Sequence, residues 1–261
     1  MSFNLKYRPW TLNDFAGGVS ASEVRRLLDS RTPIALIAPY GFGKTSLAIL
    51  IMAASSCLDP NQENRPCGQC DNCLNLRRHF ESNCYGGLDF IKTPATGATT
   101  LLDMNLTTKE IIYEWGCLED RVHLRVVVFD EFQECSYQRI FLKRLEVPGK
   151  YTSFVFCIPQ DKLHQISEPL LQRMALVELT KPSTSALLPL VKRVTDGEEI
   201  LVLEPTAPQH LVEVCNNTPR LILNGLEKLK GRSAGLSRDA VDEIIRPMMN
   251  AYSLVKKTKP H

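Results

Sequence analysis

The feature that most constrains the fold is a stretch near residue 40, where a short apolar run is followed by a loop containing two glycines and then by a second apolar run. The first run, Ile34–Ile37, predicts a buried strand, and the second, from Thr45 to about Ser56, predicts a helix. The loop between them reads APYGFGKT and has the spacing of a phosphate-binding P-loop, with Ala38 where a glycine is usual. This order of elements predicts a nucleotide-binding α/β domain.

The residues of the loop have separate predicted roles. Gly41 and Gly43 allow backbone N–H groups to curl around phosphate oxygens, and the start of the following helix adds its positive end. Lys44 is expected to contact the β- and γ-phosphates, and the Thr45 hydroxyl is expected to bind Mg²⁺. The nucleotide-binding residues predicted here are Ala38, Tyr40, Gly41, Phe42, Gly43, Lys44, Thr45 and Ser46.

A second motif supports the first. The apolar run Val126–Phe129 ends in two carboxylates, Asp130 and Glu131, about 85 residues after the loop. An apolar strand ending in Asp-Glu is a weak signal alone, but after a P-loop it indicates nucleoside triphosphate hydrolysis. Asp130 would hold Mg²⁺ through water, and Glu131 would polarise the attacking water.

The remaining pattern divides the chain into three parts. Further strands are predicted at Leu88–Lys92, Arg125–Phe129, Ser153–Ile158 and Ala175–Leu179. They are continuously apolar and alternate with helical segments such as Lys109–Trp115 and Ser136–Glu146, which predicts a five-stranded parallel sheet covered on both faces. After Pro182 only helices are predicted, at about 184–194, 206–215, 219–230 and 237–249, with Ser237 as an N-cap. We expect an α/β core over 1–180, an all-helical lid over 181–250 and a basic tail over 251–261.

Composition excludes several classes of protein. The chain is 44% hydrophobic and 23% charged, unlike a disordered chain. Its 31 basic and 29 acidic residues give a net charge of +2, so any contact with nucleic acid must come from a local basic patch. The longest apolar runs are far shorter than the ~18 residues of a membrane span, and the start lacks a signal-peptide pattern. We therefore expect a cytoplasmic protein with no membrane partner.

Four of the nine cysteines form a cluster with the spacing C-x9-C-x2-C-x2-C. They are Cys57, Cys67, Cys70 and Cys73. An odd total and a reducing compartment argue against a disulfide framework, whereas zinc is bound by four thiolates in tight C-x2-C turns. His79 could replace one sulfur, and unliganded loop cysteines are the plainer alternative. The pattern favours a structural zinc module at about 57–79.

Several separated stretches together resemble the AAA+ clamp-loader ATPases, specifically the bacterial DNA polymerase III γ/τ subunit. They are LKYRPW at Leu5–Trp10 with Asn13–Phe15, the P-loop, the cysteine cluster, DEFQ at Asp130–Gln133, LEVP at Leu145–Pro148, EPLLQRM at Glu168–Met174, and Thr218–Arg220. The resemblance covers roughly residues 5–230, and the cysteine cluster is its most specific part. It implies an AAA+ P-loop NTPase core with an inserted zinc module and a helical lid.

The resemblance also implies a mechanism and partners. ATP would lie between the core and the lid, with Tyr7, Arg8 and Pro9 lining the adenine pocket. Arg220 would contact the γ-phosphate of its own nucleotide, and Arg173 would reach a neighbour's nucleotide as an arginine finger. The implied function is to load a sliding clamp onto primer–template DNA, together with other clamp-loader subunits or in a homo-oligomer. The implied cofactors are ATP, Mg²⁺ and structural Zn²⁺.

Two departures from the family leave alternatives open. Ile158 stands where the family has a polar residue that senses the γ-phosphate, and the chain ends at His261 without the family's collar domain. We therefore expect a short form that assembles through its ATPase faces or takes the collar from another chain. The alternatives are an AAA+ loader or remodeller of another client, such as a helicase, and a weakly catalytic nucleotide-binding assembly subunit.

Overall fold

A computed structural model describes residues 2–81, 125–135, 138–146 and 152–257. Its helices are α1 Phe3–Lys6, α2 Ala21–Ser30, α3 Lys44–Ser56, α4 Asp71–Glu81, α5 Arg139–Glu146, α6 Glu168–Leu171, α7 Thr184–Glu198, α8 Ala207–Val214, α9 Pro219–Gly231, α10 Arg238–Ala240 and α11 Arg246–Lys257. Its strands are β1 Ile34–Ala38, β2 Arg125–Phe129, β3 Thr152–Pro159 and β4 Ala175–Glu178. Short 3-10 turns occur at Leu12–Asp14, Gln62–Asn64, Phe132–Glu134 and Gln160–Gln165. The predicted strand Leu88–Lys92 and helix Lys109–Trp115 lie outside the described residues.

The four described strands form one parallel sheet in the order β2-β3-β1-β4. In its register, Ile34 of β1 lies opposite Val155 of β3 and Ala175 of β4. The predicted parallel sheet is thus present in four strands, and the fifth predicted strand falls among the residues outside the description. Because all strands run the same way, the loops at their carboxyl ends meet at one edge, where α/β proteins bind ligands.

Side chains from the two faces of the sheet enter two separate apolar cores. On one face, Leu36 and Val128 pack with helix α3, whose residues Leu47–Ala54 are all buried. On the other face, Phe156 lies among Phe129, Phe132 and Phe141, with ring centroids 4.5 to 5.6 Å apart. Coverage on both faces explains why the strands are continuously apolar in sequence.

The lid consists of helices α7 to α11, as the helical pattern after Pro182 predicted. Ser237 caps α10 by accepting a hydrogen bond from Ala240 N at 3.1 Å, which confirms the predicted N-cap. A π-helical segment, Val241–Ile245, joins α10 to α11 without a break. Helix α11 continues to Lys257, into the residues assigned from sequence to the basic tail.

The first residues of the chain pack on the lid rather than on the core. Phe3 and Tyr7 are buried in the apolar core of the lid, with Leu187 and Ile222 among its members. Asn4 Nδ2 donates to Asn224 Oδ1 of α9 at 2.5 Å. Residues 2–9, here called the N-terminal arm, therefore join the lid across a long separation in sequence. Among the described residues, no helix is both long and apolar enough to cross a membrane.

Candidate functional site

A cavity opens between the α/β core and the helical lid, at the carboxyl edge of β1 and β2. Eleven of the residues predicted to bind nucleotide line this cavity. They are Tyr7, Arg8, Pro9, Tyr40, Gly41, Phe42, Gly43, Lys44, Thr45, Ser46 and Arg220. Both predicted carboxylates, Asp130 and Glu131, also line it. Ala38 is fully buried at the end of β1 and contributes its backbone carbonyl, described below. The structure therefore brings together residues predicted from stretches more than 200 positions apart.

The two P-loop glycines have left-handed backbones. Their φ angles are 85° at Gly41 and 93° at Gly43, which residues with a Cβ rarely adopt. A Cβ at Gly43 would also lie 2.9 Å from Cε2 of Phe15, and one at Gly41 would lie 3.0 Å from Cγ2 of Thr218. Gly43 directly precedes α3, so the loop directs the amino end of that helix into the cavity.

Lys44 places a buried cation in this loop. The residue is 6% exposed, and its Nζ donates to the carbonyls of Ala38 at 2.8 Å and Pro39 at 3.1 Å. Burial lowers the pKa of Lys44, while the nearby acidic groups oppose that effect. The ammonium group is thus held by carbonyls of the loop, and Lys44 lines the cavity.

Thr45 and Asp130 form the predicted magnesium-binding pair. The Thr45 hydroxyl lies 3.1 Å from Oδ1 and 3.0 Å from Oδ2 of Asp130, although the two residues are 85 positions apart. A hydroxyl and a carboxylate are oxygen ligands of the kind that Mg²⁺ takes beside phosphate oxygens. The residues present fit that cation.

Glu131 directly follows Asp130 and has a left-handed backbone, with φ of 55° and ψ of 46°. Its Oε2 accepts a hydrogen bond from Gln133 Nε2 at 2.7 Å. Tyr40 is a second neighbour: burial, then the charges of Glu131 and other acidic groups and a hydrogen bond to Glu131, raise the pKa of Tyr40 to about 12. The carboxylate therefore lies at the cavity wall with two polar neighbours.

The lid side of the cavity carries two arginines, of which sequence reasoning identified one. Arg220 is the second residue of helix α9 and lies next to the P-loop, since a Cβ at Gly41 would lie 3.2 Å from Cβ of Arg220. Arg193 of α7 was missed. It donates to Asp14 Oδ1 at 2.8 Å and to the Tyr7 carbonyl at 3.2 Å. Nothing local in the sequence marks Arg193, because both partners lie about 180 positions away. The other lining residues that sequence reasoning did not select are Asn4, Asp14, Phe15, Ala16, Gly17, Leu190, Pro219 and Leu223.

Two other predicted residues lie outside the cavity lining. Arg173 donates to Glu146 Oε1 and to the Pro169 carbonyl, both at 2.6 Å, and its side chain is 33% exposed. Ile158 is fully buried near the end of β3. The next residue, Pro159, pairs with Ala38 at the start of the P-loop.

The four clustered cysteines converge on one point. Their sulfur atoms all lie within 4.8 Å of one another, and those of Cys57 and Cys70 are 3.9 Å apart. Tetrahedral zinc with Zn–S bonds of about 2.3 Å requires sulfurs about 3.8 Å apart. Backbone N–H groups of Leu58, Gln69 and Cys70 point at sulfurs from 3.3 to 3.4 Å, an arrangement that stabilises thiolates. Four convergent sulfurs with such donors fit a structural zinc ion.

The cysteine cluster packs against the segment that leads into the nucleotide cavity. Phe80 of α4 lies 6.2 Å from the Trp10 ring, and the Arg8 guanidinium lies over Phe80 at 5.7 Å. A Cβ on Gly68 would meet Cγ2 of Thr11 at 3.1 Å. The segment that carries the cysteines therefore contacts Arg8, which lines the cavity, through Phe80.

Comparison with known proteins adds evidence on the fold. No protein-family model and no curated protein matches the sequence. Among solved structures, a point variant of Thermotoga maritima RuvB superposes with a TM-score of 0.59 at 16% identity, over 91% of this chain and 72% of that one. The Thermotoga maritima RuvB Holliday junction branch migration motor gives a TM-score of 0.56 at 16% identity with the same coverage. Such a similarity shows the fold alone, and it confirms the predicted α/β core with a parallel sheet followed by a helical part.

Proposed function

We propose that this chain is an ATPase that binds Mg·ATP between the core and the lid and hydrolyses it. The observation that carries the proposal is the meeting of Lys44, Thr45, Asp130 and Glu131 on the core side of one cavity, with Arg220 opposite on the lid. These groups are the cation, magnesium ligands, base and second cation that phosphoryl transfer to water requires. They come from three separate segments, so their convergence is not a property of any one motif.

Each residue has a role that follows from its position. Lys44 would leave the carbonyls of Ala38 and Pro39 to bind the β- and γ-phosphates. Thr45 and Asp130 would hold Mg²⁺, which when bound neutralises phosphate charge. Glu131 would accept the proton of the attacking water, and Tyr7, Arg8 and Pro9 would enclose the base of the nucleotide.

We further infer that catalysis is shared between chains. Arg173 lies outside its own cavity, partly exposed and bound to Glu146, so it would act on a neighbour's γ-phosphate as an arginine finger. Such a finger contributes on the order of 10³-fold or more to hydrolysis. This geometry requires an assembly of identical chains or of related subunits.

For the client, we propose a sliding clamp placed on primer–template DNA. The cysteine cluster directly after α3 and the short motifs shared with the γ/τ subunits support this choice. The second candidate is a motor acting on branched DNA, since the superposed RuvB structures carry the description of a branch migration motor. A helicase loader or a weakly catalytic assembly subunit would retain the same cavity.

The test is the rate of ATP turnover under four conditions: protein alone, with primed DNA, with primed DNA and a sliding clamp, and with a four-way DNA junction. Clamp loading predicts the highest rate with primed DNA and clamp together. Stimulation by the junction alone would favour the branched-DNA motor. Equal and negligible rates in all four, matching those of a Lys44→Ala control, would refute the ATPase proposal itself.

A further inference from the structure

We propose that Gln133 is a positioning residue that holds the Glu131 carboxylate in place for water activation. This inference rests on the ATP hydrolysis proposed above. It starts from the 2.7 Å hydrogen bond that Gln133 Nε2 donates to Glu131 Oε2. The bond links the only carboxylate proposed as a base to a neutral side chain that is not among the residues lining the cavity.

Gln133 is suited to this role because its own backbone is held firmly. It lies in the 3-10 turn Phe132–Glu134, and the preceding Phe132 is fully buried among aromatic rings. The ring centroids of Phe132 and Phe156 are 4.5 Å apart. Gln133 itself is 7% exposed. Because the turn is packed, the Gln133 side chain has a fixed position and can therefore restrain the side chain that it contacts.

The weakness of the alternative acceptor for Gln133 Nε2 among the described residues strengthens the restraint. Its Oε1 is buried and has no hydrogen-bond partner among the described residues. Nε2 has one other acceptor, Glu134 Oε1, at 3.5 Å. If Glu131 rotated away, the buried amide would keep at most that long contact, and an unsatisfied buried polar group is unfavourable. The amide therefore favours the orientation of Glu131 seen here.

This orientation has a chemical consequence for the proposed reaction. The bond engages Oε2 and, together with the hydrogen bond between Tyr40 and Glu131, restrains the carboxylate, so that Oε1 is the oxygen proposed to accept the proton of the attacking water. The water oxygen forms the new bond to the γ-phosphorus, and the bond to the leaving ADP oxygen breaks. Gln133 donates its hydrogen bond throughout and transfers no proton, so its effect is on rate rather than on nucleotide binding.

The experiment compares three variants with the wild type at saturating Mg·ATP. Gln133→Leu keeps the side-chain volume and removes the donor, so kcat should fall about tenfold while KM stays within about twofold. Gln133→His returns an N–H donor and should recover most of the loss. Gln209→Leu is the matched control, because Gln209 Nε2 also donates to a glutamate, Glu213, at 2.9 Å but on an exposed lid helix. It should leave kcat unchanged.

A double-mutant cycle in thermal unfolding provides a readout independent of activity. Gln133→Ala and Glu131→Ala, singly and together, should show an interaction of at least about threefold in the unfolding equilibrium constant. Independence of the two substitutions, or an unchanged or higher kcat in Gln133→Leu, would overturn the inference about Gln133. If the wild type itself does not hydrolyse ATP, the proposed function fails and the catalytic role of Gln133 fails with it, whereas the interaction in the cycle would persist.

Discussion

Glu198 on helix α7 is the carboxylate that binds the N-terminal arm to the lid, and Glu198→Gln should destabilise the protein at neutral pH. Its side chain is 3% exposed. It accepts hydrogen bonds from Lys6 Nζ at 2.6 Å and Tyr7 Oη at 2.8 Å, and it also pairs with Lys230. Glutamine keeps the shape and removes the charge, so the variant isolates the contribution of the charge.

The size of the effect follows from the pKa of the carboxyl. The hydrogen bonds from Lys230 and Lys6 lower the pKa of Glu198 from 4.5 to about 2. Such a difference corresponds to at most about 3 kcal/mol of stabilisation of the folded state. The side chains of Lys6 and Lys230 are 47% and 49% exposed, so solvent screening reduces the expected loss to about 1–2 kcal/mol. For a chain of this size the melting temperature should fall by roughly 2–8 °C.

The assay is thermal unfolding of the wild type, of Glu198→Gln and of a control, Glu199→Gln. Glu199 is next to Glu198 in sequence but is exposed, so the control makes the same chemical change at a solvated position. The sign of the pH dependence is fixed by the lowered pKa. The stabilisation is complete above the unfolded-state pKa near 4.5 and is lost as the pH falls toward the folded-state value near 2. The difference between wild type and Glu198→Gln should therefore be constant from about pH 7 to 5.5 and shrink below about pH 4.5.

Two results would refute this reasoning. Equal melting temperatures at neutral pH would mean that the three hydrogen bonds do not depend on the charge of Glu198. A difference that grows on acidification would mean that another group is responsible. High salt should reduce the difference, because both ammonium groups are partly exposed.

Three further predictions concern the candidate sites. Lys44→Ala should weaken ATP binding at least about 100-fold by calorimetry, with only a small loss of stability because the contacts given for its ammonium group, two carbonyls and the Tyr40 ring, all lie in its own loop. Unchanged affinity would contradict the phosphate site. Metal analysis of protein purified under reducing conditions should find one zinc per chain. Cys70→Ser should lower the zinc content and unfold α4 locally. A wild-type protein that contains no zinc but has an intact α4 would contradict the metal assignment. Arg173→Ala should lower kcat about 10³-fold with little change in ATP affinity. Mixing the Arg173→Ala and Lys44→Ala variants should restore activity. Mixed oligomers that stay inactive would argue against a shared site.

The core of the site could be predicted because its signals are local. The P-loop places two glycines where a left-handed backbone is required, and the observed φ angles at Gly41 and Gly43 agree with that expectation. Asp130 was assigned from a single apolar strand, and its contact with Thr45 follows from two parallel strands ending at the same edge. In such motifs the residues are close in sequence, so the local backbone conformation determines their relative positions.

The rest of the site could not be predicted because it depends on distant partners. Arg193 reaches the Tyr7 carbonyl across 186 positions, and Glu198 meets Lys6 across 192. No pattern around either residue distinguishes it from other charged residues of an amphipathic helix. Gln133 was identified only as the last residue of the DEFQ stretch that resembles the family. Its bond to Glu131 depends on a left-handed backbone at Glu131, which the sequence does not predict.

The attachment of the N-terminal arm to the lid has a consequence for how the protein is made. Phe3 and Tyr7 leave the ribosome before the lid does, because the glutamate that Tyr7 contacts is 191 residues further along the chain. At about 5–20 residues per second, that partner emerges roughly 10–40 s later. Two aromatic side chains must remain uncovered for that interval, and the lid can complete its apolar core only after helix α9 has been synthesised. Because the whole α/β core separates the arm from the lid in sequence, the apolar core of the lid cannot be completed until long after the arm has been synthesised.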